Sequence, residues 1–486
     1  MNTQSLKLFC ASLSKRIDFY ATSVFVLSLI VFLWRLGEGH LQDWDEAIYA
    51  EVSKNIVERN NWVTLFWGDL PWFHKPPLFM WSTAALFEIF GISEFSARAA
   101  SAISGIGLVV TTYFLGKKIH SRQAGFLASL ILLSSKQIIF SARFGTTDIM
   151  LTLFMMFSIY AYIKAQDDHE HWLIPMFSAF ALAFMVKGVA SVFVPITIGL
   201  LIVARKESVK ILSSRHFWVG LAIAALLVLP WHLIMLAQHG SSFLGEYIGY
   251  HVIARATQPL EGHDHGYLFY IFILRNQFFP WFFLVLPAVF SPFLVKGDSK
   301  YRKYSKDLIL FSFIVFFGYT VAGTKLPWYI VPIYPPLAIL VASLLICIIR
   351  AERSKLIHYA TLSITSGLFL LGLYNSKQIY IPPSLPIVSI VEASNLESSS
   401  SPLNFYLIYE PTPKFYSERP TNFIWDSASL KDKSLCDQEI ILKTENLTDL
   451  EPVNFSVIYE SNAYRLIKLT CTREADAIRQ TISSFQ

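Results

Sequence analysis

Charged residues are scarce in this sequence. Asp, Glu, Lys and Arg make up 15% of its 486 residues, whereas hydrophobic residues make up 54% and the mean hydropathy is positive. A water-soluble chain could hardly shield so much apolar surface, so the composition argues against a soluble protein. The Lys and Arg residues lie in short clusters between apolar runs, and no basic stripe is present, which argues against nucleic acid as a partner.

A cleavable signal peptide, an internal repeat and a Cys-x-x-Cys pair are also missing. The apolar run at 17–36 is too long for a signal-peptide core and has no small-residue cleavage site, so we expect it to remain as a first membrane span. Transporters are often built from related halves. The absence of a repeat therefore weighs against that class, although a transporter or flippase of a lipid-linked sugar stays open as the alternative function.

Apolar runs of membrane length dominate the rest of the chain. A helix crosses the hydrocarbon with about 20 residues, and only internally hydrogen-bonded backbone can cross. Eleven spans are predicted, over residues 17–36, 97–116, 124–141, 148–165, 172–187, 189–204, 217–236, 267–294, 308–322, 329–349 and 356–374. We therefore predict an all-α polytopic membrane protein with about 11 to 13 transmembrane helices, over residues 1–375.

Loop charges predict the orientation of the bundle. Lys and Arg concentrate in alternate loops, which by the positive-inside rule predicts a cytoplasmic N-terminus in the cell inner (plasma) membrane. The run at 78–90 is short for a crossing, and we expect a juxtamembrane helix there. The odd number of spans then places residues 376–486 outside the cytoplasm.

The C-terminal residues differ in composition from the membrane portion. Residues 376–486 are richer in Pro, Ser and acidic residues, and alternating runs at Asn404–Tyr409 and Asn454–Tyr459 predict strands. We expect a small α/β extracytoplasmic domain. Cys436 and Cys471 share this domain, and because it lies in an oxidising compartment we expect them to form a disulfide.

Two motifs in the first outer loop, residues 37–77, could carry chemistry. Asp45 and Glu46 follow the first span, where an acid can contact both a lipid-anchored substrate and water; alternatively, they decorate an interfacial helix. Lys75 lies between aromatic residues and a Pro pair, where it suits a phosphate as a point charge. The alternative is a lysine that snorkels to the interface.

These motifs resemble the opening of the GT-C membrane glycosyltransferases, most of all the group that joins the lipid A aminoarabinose transferases with the protein O-mannosyltransferases. The resemblance rests on Asp45–Glu51, His74–Pro77, Phe90–Gly91 and Arg98, and continues in Arg143–Asp148, His251–Arg255 and Gly323–Pro332. His74 departs from the lipid A enzymes, which have an acid there, so aminoarabinose specificity does not follow.

The resemblance implies roles for individual residues. Asp45 would be the principal catalytic carboxylate, with Glu46 beside it and Asp148 as a second outer acid. Lys75, Arg255 and Tyr329 would bind the carrier phosphate, and Lys325, which begins the motif that contains Tyr329, is a further substrate-binding candidate. The charge-derived topology independently places on one membrane face the residues Asp45, Lys75, Asp148, Lys187, Arg255, Lys325 and Tyr329.

The implied reaction moves a sugar from a polyprenyl-phosphate carrier to a lipid A, glycan or protein acceptor. Cations would stabilise the departing phosphate, and Asp45 would act as general base for a hydroxyl acceptor. No cofactor is expected to be required. A divalent metal stays open as an alternative, because imidazoles and carboxylates can bind zinc and the outer loops carry His74, His251, His263 and His265.

Overall fold

The computed structural model describes residues 18–294, 299–351, 355–380, 383–396, 401–431, 435–450, 454–461 and 463–470. The α-helices within these ranges are α1 Phe19–Leu33, α2 Asp45–Arg59, α3 Leu78–Phe90, α4 Glu94–Ile119, α5 Arg122–Leu133, α6 Lys136–Arg143, α7 Thr147–Asp167, α8 Leu173–Lys187, α9 Phe193–Ala204, α10 Ser208–Ser213, α11 Arg215–Leu244, α12 Arg255–Thr257, α13 Phe269–Gln277, α14 Phe282–Leu294, α15 Ser299–Val321, α16 Tyr334–Ala351, α17 Lys355–Asn375, α18 Pro386–Asn395 and α19 Thr412–Tyr416. A π-helical segment, Gly245–Ala254, joins α11 to α12.

The chain is a multi-pass membrane protein. In the described part, six helical stretches are long and apolar enough to cross a membrane, namely Glu94–Ile119, Thr147–Asp167, Glu170–Ala204, Arg215–Thr257, Ser299–Val321 and Pro327–Arg350. Two further pairs, α5 with α6 and α13 with α14, are bent by 70° and 106° and raise the number to eight if each counts as one span. The count of eleven to thirteen spans stays a prediction.

Several predicted spans take a different form from a straight helix. The runs at 172–187 and 189–204 lie in one apolar stretch, Glu170–Ala204. The run at 124–141 breaks between α5 and α6, where the hydroxyls of Ser134 and Ser135 donate to the carbonyl of Ile131 at 3.0 and 2.6 Å. These bonds satisfy a carbonyl at the end of α5. The run at 78–90 forms the short apolar helix α3.

Two buried arginines cap the chain at the end of the first helix, α1. Arg98 is 1% exposed and Arg143 is 3% exposed. Arg98 donates to the carbonyls of Leu36 and Glu38 at 3.1 and 3.0 Å, and Arg143 donates to those of Val31, Phe32 and Arg35 at 3.3, 3.1 and 3.3 Å. Cations at a helix C-terminus satisfy carbonyls that have no partner within the helix. The start of the first outer loop is thereby fixed.

The chain forms two compact units, which are described separately. The first comprises residues 1–38, 56–65 and 71–381, and the second comprises residues 39–55, 66–70 and 382–486. The first outer loop is therefore divided, and the portion carrying Asp45 belongs to the same unit as the C-terminal residues.

The second unit is built on a mixed five-stranded sheet. After the short strands β1 Phe66–Trp67 and β2 Leu70–Pro71, the strands are β3 Leu403–Tyr406, β4 Thr421–Ile424, β5 Glu439–Lys443, β6 Phe455–Glu460 and β7 Tyr464–Leu469. Their order is β4-β3-β5-β7-β6, with β3 parallel to β4 and β5 and the remaining pairs antiparallel. Helix α18 buries Ile387, Val388, Ile390 and Val391 against the sheet. The strands predicted at Asn404–Tyr409 and Asn454–Tyr459 are confirmed.

Arg143→Met should lower the melting temperature of the purified protein by about 4 °C or more. The change removes donors from three carbonyls near the end of α1, and a hydrogen bond to a charged group contributes about 1.5–3 kcal/mol. Thermal unfolding in detergent, followed by loss of the monodisperse peak, measures the effect. Arg350→Met is the matched control, because the exposed Arg350 donates to the Gln123 side chain. Equal melting temperatures for wild type and Arg143→Met would contradict the capping role.

Candidate active site

Asp45 is the first residue of α2 in the second unit, and it is half-buried. The amino end of a helix carries partial positive charge, which favours an ionised carboxylate there. The preceding residue, Trp44, has φ +69° and its side chain is 63% exposed. A bulky residue in this region costs on the order of 1–3 kcal/mol and persists only where its surroundings fix it. The backbone that presents Asp45 is therefore held in a strained conformation.

The acids on either side of Asp45 are engaged with their own unit. Glu46 is buried, and its Oε2 accepts a hydrogen bond from the backbone amide of Gln42 at 2.7 Å. The carboxylate of Asp43 accepts from both the backbone amide, at 3.3 Å, and the hydroxyl of Thr412. Burial raises the pKa of Asp43, while the two bonds from Thr412 act in the opposite direction. Both side chains shape the turn that leads into α2.

A buried ion pair joins two helices of the first unit. Asp148, in the first turn of α7, accepts from Lys187 at the end of α8, with 2.5 Å between Oδ1 and Nζ. Gly188 follows with φ +53°, and a Cβ there would lie 2.5 Å from the Tyr247 hydroxyl. Only glycine fits both the backbone angle and the space. The chain can therefore turn directly after Lys187, which leaves its side chain on Asp148.

The predicted phosphate ligands converge within the first unit. Lys75 follows His74, whose ring lies 4.2 Å from the ring of His251, and Arg255 comes four residues after His251 at the start of α12. Arg255 also interacts with the hydroxyl of Tyr329, and the ammonium group of Lys187 lies 5.3 Å from the centre of the Tyr329 ring. Residues from four separate parts of the sequence therefore form one connected polar cluster.

Arg255 has an acidic partner that the sequence analysis missed. Its guanidinium donates to both carboxylate oxygens of Glu261 at 2.8 Å. The side chain of Glu261 is 45% exposed and that of Arg255 is 18% exposed. Glu261 stands six residues after Arg255, beyond the end of α12, so no helical spacing indicates the contact. The pair orients the guanidinium, and the exposed carboxylate is free to exchange with solvent.

The Gly323–Pro332 motif supports the turn that carries Arg255. The amides of Gly323 and Thr324 donate to the carbonyls of Ala256 and Arg255 at 2.9 and 3.0 Å. A Cβ on Gly323 would lie 2.5 Å from the backbone of Gln258, so glycine allows this close approach. Lys325 is 7% exposed and donates to the carbonyl of Ala322 at 2.9 Å. Lys325 therefore stabilises this backbone contact.

Two of the predicted histidines meet an unpredicted carboxylate. The Nε2 of His74 lies 2.9 Å from Oε1 of Glu246, the rings of His74 and His251 are 4.2 Å apart, and ligand atoms of all three residues lie within 4.8 Å of one another. Glu246 and His251 are five residues apart in the π-helical segment, whose i to i+5 bonding brings such residues together. The sequence analysis did not identify Glu246, because nothing in the local pattern indicated a π-helical segment here.

The other predicted histidines lie outside this group. The rings of His263 and His265 are 6.4 Å apart, and His265 stacks on Phe269 at 4.1 Å. Of the four predicted histidines, His74 and His251 come together with Glu246. In the second unit, Cys436 is disulfide-bonded. Its predicted partner, Cys471, lies outside the described residues, so that pairing stays a prediction.

Comparison with known proteins adds family relationships to this geometry. A family model described as dolichyl-phosphate-mannose-protein mannosyltransferase matches residues 74–234. An uncharacterized protein of Aquifex aeolicus is 30% identical over 66% of this chain and 63% of its own length. The undecaprenyl phosphate-alpha-4-amino-4-deoxy-L-arabinose arabinosyl transferase of Yersinia pestis is 29% identical over 65% of this chain and 57% of its own length. The matched region thus spans about three fifths of these relatives.

The fold as a whole has a close counterpart among solved structures. The crystal structure of ArnT from Cupriavidus metallidurans bound to undecaprenyl phosphate aligns with 93% of this chain and 98% of its own, with a TM-score of 0.77 and 17% identity. At that identity the likeness shows the fold. Together with the sequence matches, it makes this chain similar to the GT-C membrane glycosyltransferases of the ArnT-like group.

Proposed function

We propose that the protein transfers a pentosyl or hexosyl group from a polyprenyl-phosphate carrier to a lipid A, glycan or protein acceptor at the outer face of the cell inner membrane. The observation that carries this proposal is that the segment with Lys75 meets the segment with Arg255, where the rings of His74 and His251 lie 4.2 Å apart. Two cations from separate elements suit one phosphate group. The arabinosyl transferase named above acts on an undecaprenyl-phosphate-linked sugar and the ArnT structure contains undecaprenyl phosphate, which favours a transferase over a transporter of a lipid-linked sugar.

The carrier phosphate is the leaving group of the proposed reaction. The bond between the anomeric carbon and the phosphate oxygen breaks, and its electron pair stays on the phosphate. Lys75 supplies a point charge and Arg255 a planar fork of donors to that developing charge. The hydroxyl of Tyr329, which interacts with Arg255, completes the set. Polyprenyl phosphate is then released from these residues as a product.

Asp45 activates the acceptor in this proposal. An acceptor hydroxyl attacks the anomeric carbon, the new carbon–oxygen bond forms, and the hydroxyl proton passes to the Asp45 carboxylate. Its position at the amino end of α2 favours the ionised form that accepts the proton. A phosphate acceptor has no such proton to lose, and Asp45 would then orient it. Glu46 acts through its bond to Gln42, by holding the turn before α2.

Asp148 contributes by holding Lys187. Both side chains of this pair are largely buried, at 5% and 12% exposure, so an ammonium left without the carboxylate would carry a large desolvation penalty. Asp148 thus keeps Lys187 beside the Tyr329 ring, at the edge of the proposed phosphate site. Lys325, in the Gly323–Pro332 motif, supports the same site through its hydrogen bond to the carbonyl of Ala322.

A divalent metal is proposed as an accessory to this site. His74, Glu246 and His251 offer two imidazoles and a carboxylate within 4.8 Å of one another, and the Nε2 of His251 is buried with no hydrogen-bond partner in the described part of the chain. This donor set suits zinc. Bound there, the metal would add positive charge near the carrier phosphate. The three residues would also fix the backbone that presents Lys75, the residue after His74.

The proposed orientation follows the loop charges. The N-terminus would be cytoplasmic, eleven to thirteen helices would cross the membrane, and residues 376–486 would lie outside, where an oxidising compartment favours the Cys436–Cys471 disulfide. This orientation presents the predicted catalytic and substrate-binding residues to an acceptor at the outer face.

Asp45→Asn should abolish sugar transfer while leaving the protein folded. Asn has nearly the same shape as Asp but neither accepts the proton nor carries the charge. Transfer of label from a radiolabelled polyprenyl-phosphate sugar to membrane acceptors measures the effect, with monodisperse elution as the test of folding. Asp69→Asn, in the same outer loop and exposed, is the control and should behave as wild type. Normal turnover in well-folded Asp45→Asn protein would overturn the catalytic assignment.

Lys75→Ala and Arg255→Ala should each weaken binding of polyprenyl phosphate by roughly ten- to a hundredfold, because each removes charge-assisted hydrogen bonds of about 1.5–3 kcal/mol. Titration of the purified variants with polyprenyl phosphate gives the dissociation constants. Arg255→Lys should recover part of the loss, since a fork of donors becomes a point charge. Arg302→Ala changes an exposed arginine near the start of α15 and should leave binding normal. Unchanged affinity in both Ala variants would remove the phosphate site.

Wild-type protein dialysed against a small excess of zinc should retain about one equivalent of the metal, and His251→Ala and Glu246→Ala should each lose most of it, because a structural zinc site needs its full set of nitrogen and oxygen ligands. Elemental analysis of the purified proteins measures the stoichiometry independently of activity. His265→Ala is the control and should keep the metal. Equal zinc content in wild type and His251→Ala would exclude a metal at these three residues.

A further inference from the structure

The segment of the first outer loop that carries Asp45 is bonded to one short stretch of the second unit. Here residues 39–55 are called the loop segment and residues 412–417, which comprise α19 and Ser417, the clamp. The amide of Leu41 donates to the Tyr416 hydroxyl at 2.8 Å. The ammonium group of Lys54 donates to the carbonyls of Phe415 and Ser417 at 3.0 and 3.3 Å. Both ends of the loop segment are therefore held by the clamp.

A third contact lies two residues from the catalytic candidate. Thr412 directs its backbone amide and its hydroxyl to the same carboxylate oxygen of Asp43. Thr412 is fully buried, at 0% exposure, so its hydroxyl does not exchange freely between Asp43 and water. Without this hydroxyl the Asp43 carboxylate has one donor fewer, and losing a hydrogen bond in a buried position costs more free energy than losing one that water can replace.

The strained residue lies between this contact and Asp45. Trp44 has φ +69° and its exposed side chain offers little packing to maintain that angle. The conformation must then be imposed from its two neighbours. On one side Asp43 is fixed by Thr412, and on the other the helix α2 begins at Asp45. The bond from Thr412 acts together with the bond between Gln42 and Glu46 to keep the peptide from relaxing and rotating Asp45 away from its position.

We propose that Thr412, acting through Asp43, is a positioning residue for Asp45. The C-terminal residues of the second unit thereby determine the position of the catalytic carboxylate. The proposal rests on the proposed function of Asp45. It separates catalysis from donor binding, because Lys75 and Arg255 belong to the first unit. Loss of the Thr412 hydroxyl should therefore lower kcat and leave the affinity for the carrier phosphate unchanged.

Thr412→Val is the primary test, because Val has the shape of Thr without the hydroxyl. We expect kcat for sugar transfer to fall about tenfold or more, and the dissociation constant for polyprenyl phosphate to stay within about twofold of wild type. Thr412→Ser keeps the donor and should restore most of the lost kcat. Thr421→Val places the same substitution on β4 of the same unit and should leave both quantities unchanged.

Tyr416→Phe provides a second variant should Thr412→Val fail to fold. It removes the hydroxyl that accepts from Leu41, and it should lower kcat without changing donor affinity. Wild-type kcat in folded Thr412→Val, or in folded Tyr416→Phe where the first variant does not fold, would overturn the positioning role. So would an equal loss in Thr412→Val and Thr412→Ser. If Asp45→Asn is inactive while Thr412→Val is fully active, the proposed function stands and this inference fails; an active Asp45→Asn removes both.

Discussion

The first unit depends on one constraint, that a buried charge needs a partner, and the buried ion pair between Asp148 and Lys187 illustrates it. A charge inside an apolar helical bundle is costly unless it is paired, and here a carboxylate and an ammonium group from α7 and α8 meet at 2.5 Å. Arg98 and Arg143 obey the same rule, since they are satisfied by backbone carbonyls near the end of α1. These buried charges of the first unit are thus held by specific partners.

The pairing of charges also relates the stability of the polar cluster to its proposed role in binding phosphate. Lys187 lies over the Tyr329 ring, Tyr329 interacts with Arg255, and Arg255 is held by the half-exposed Glu261. The deeply buried members are locked by their partners, whereas the guanidinium has a partner that water can replace. An incoming phosphate would meet Arg255 already oriented. Rigid support beneath an exchangeable contact is what preorganised recognition of an anion requires.

Local sequence patterns predicted most of the helices but little of the pairing. The apolar helices could be predicted because hydropathy is a property of each segment by itself. The strands near Leu403 and Phe455 were predicted from the alternation of apolar and polar residues. Glu246 was missed because a π-helical segment brings it to His251 at a spacing that α-helical reasoning does not consider. The bond from Thr412 to Asp43 joins residues 369 positions apart, and no local pattern encodes such a contact. The family resemblance identified Asp45 and Lys75, and only the structure showed which unit holds each.

The proposed function requires that the protein break the bond between the sugar and its carrier. The most direct measurement uses purified protein in liposomes with a radiolabelled polyprenyl-phosphate sugar and an envelope extract that supplies lipid, glycan and protein acceptors. We expect label to move to an acceptor and unglycosylated polyprenyl phosphate to appear in equal amount. Label that stays on the carrier while the intact donor crosses the bilayer would contradict it and would indicate a transporter.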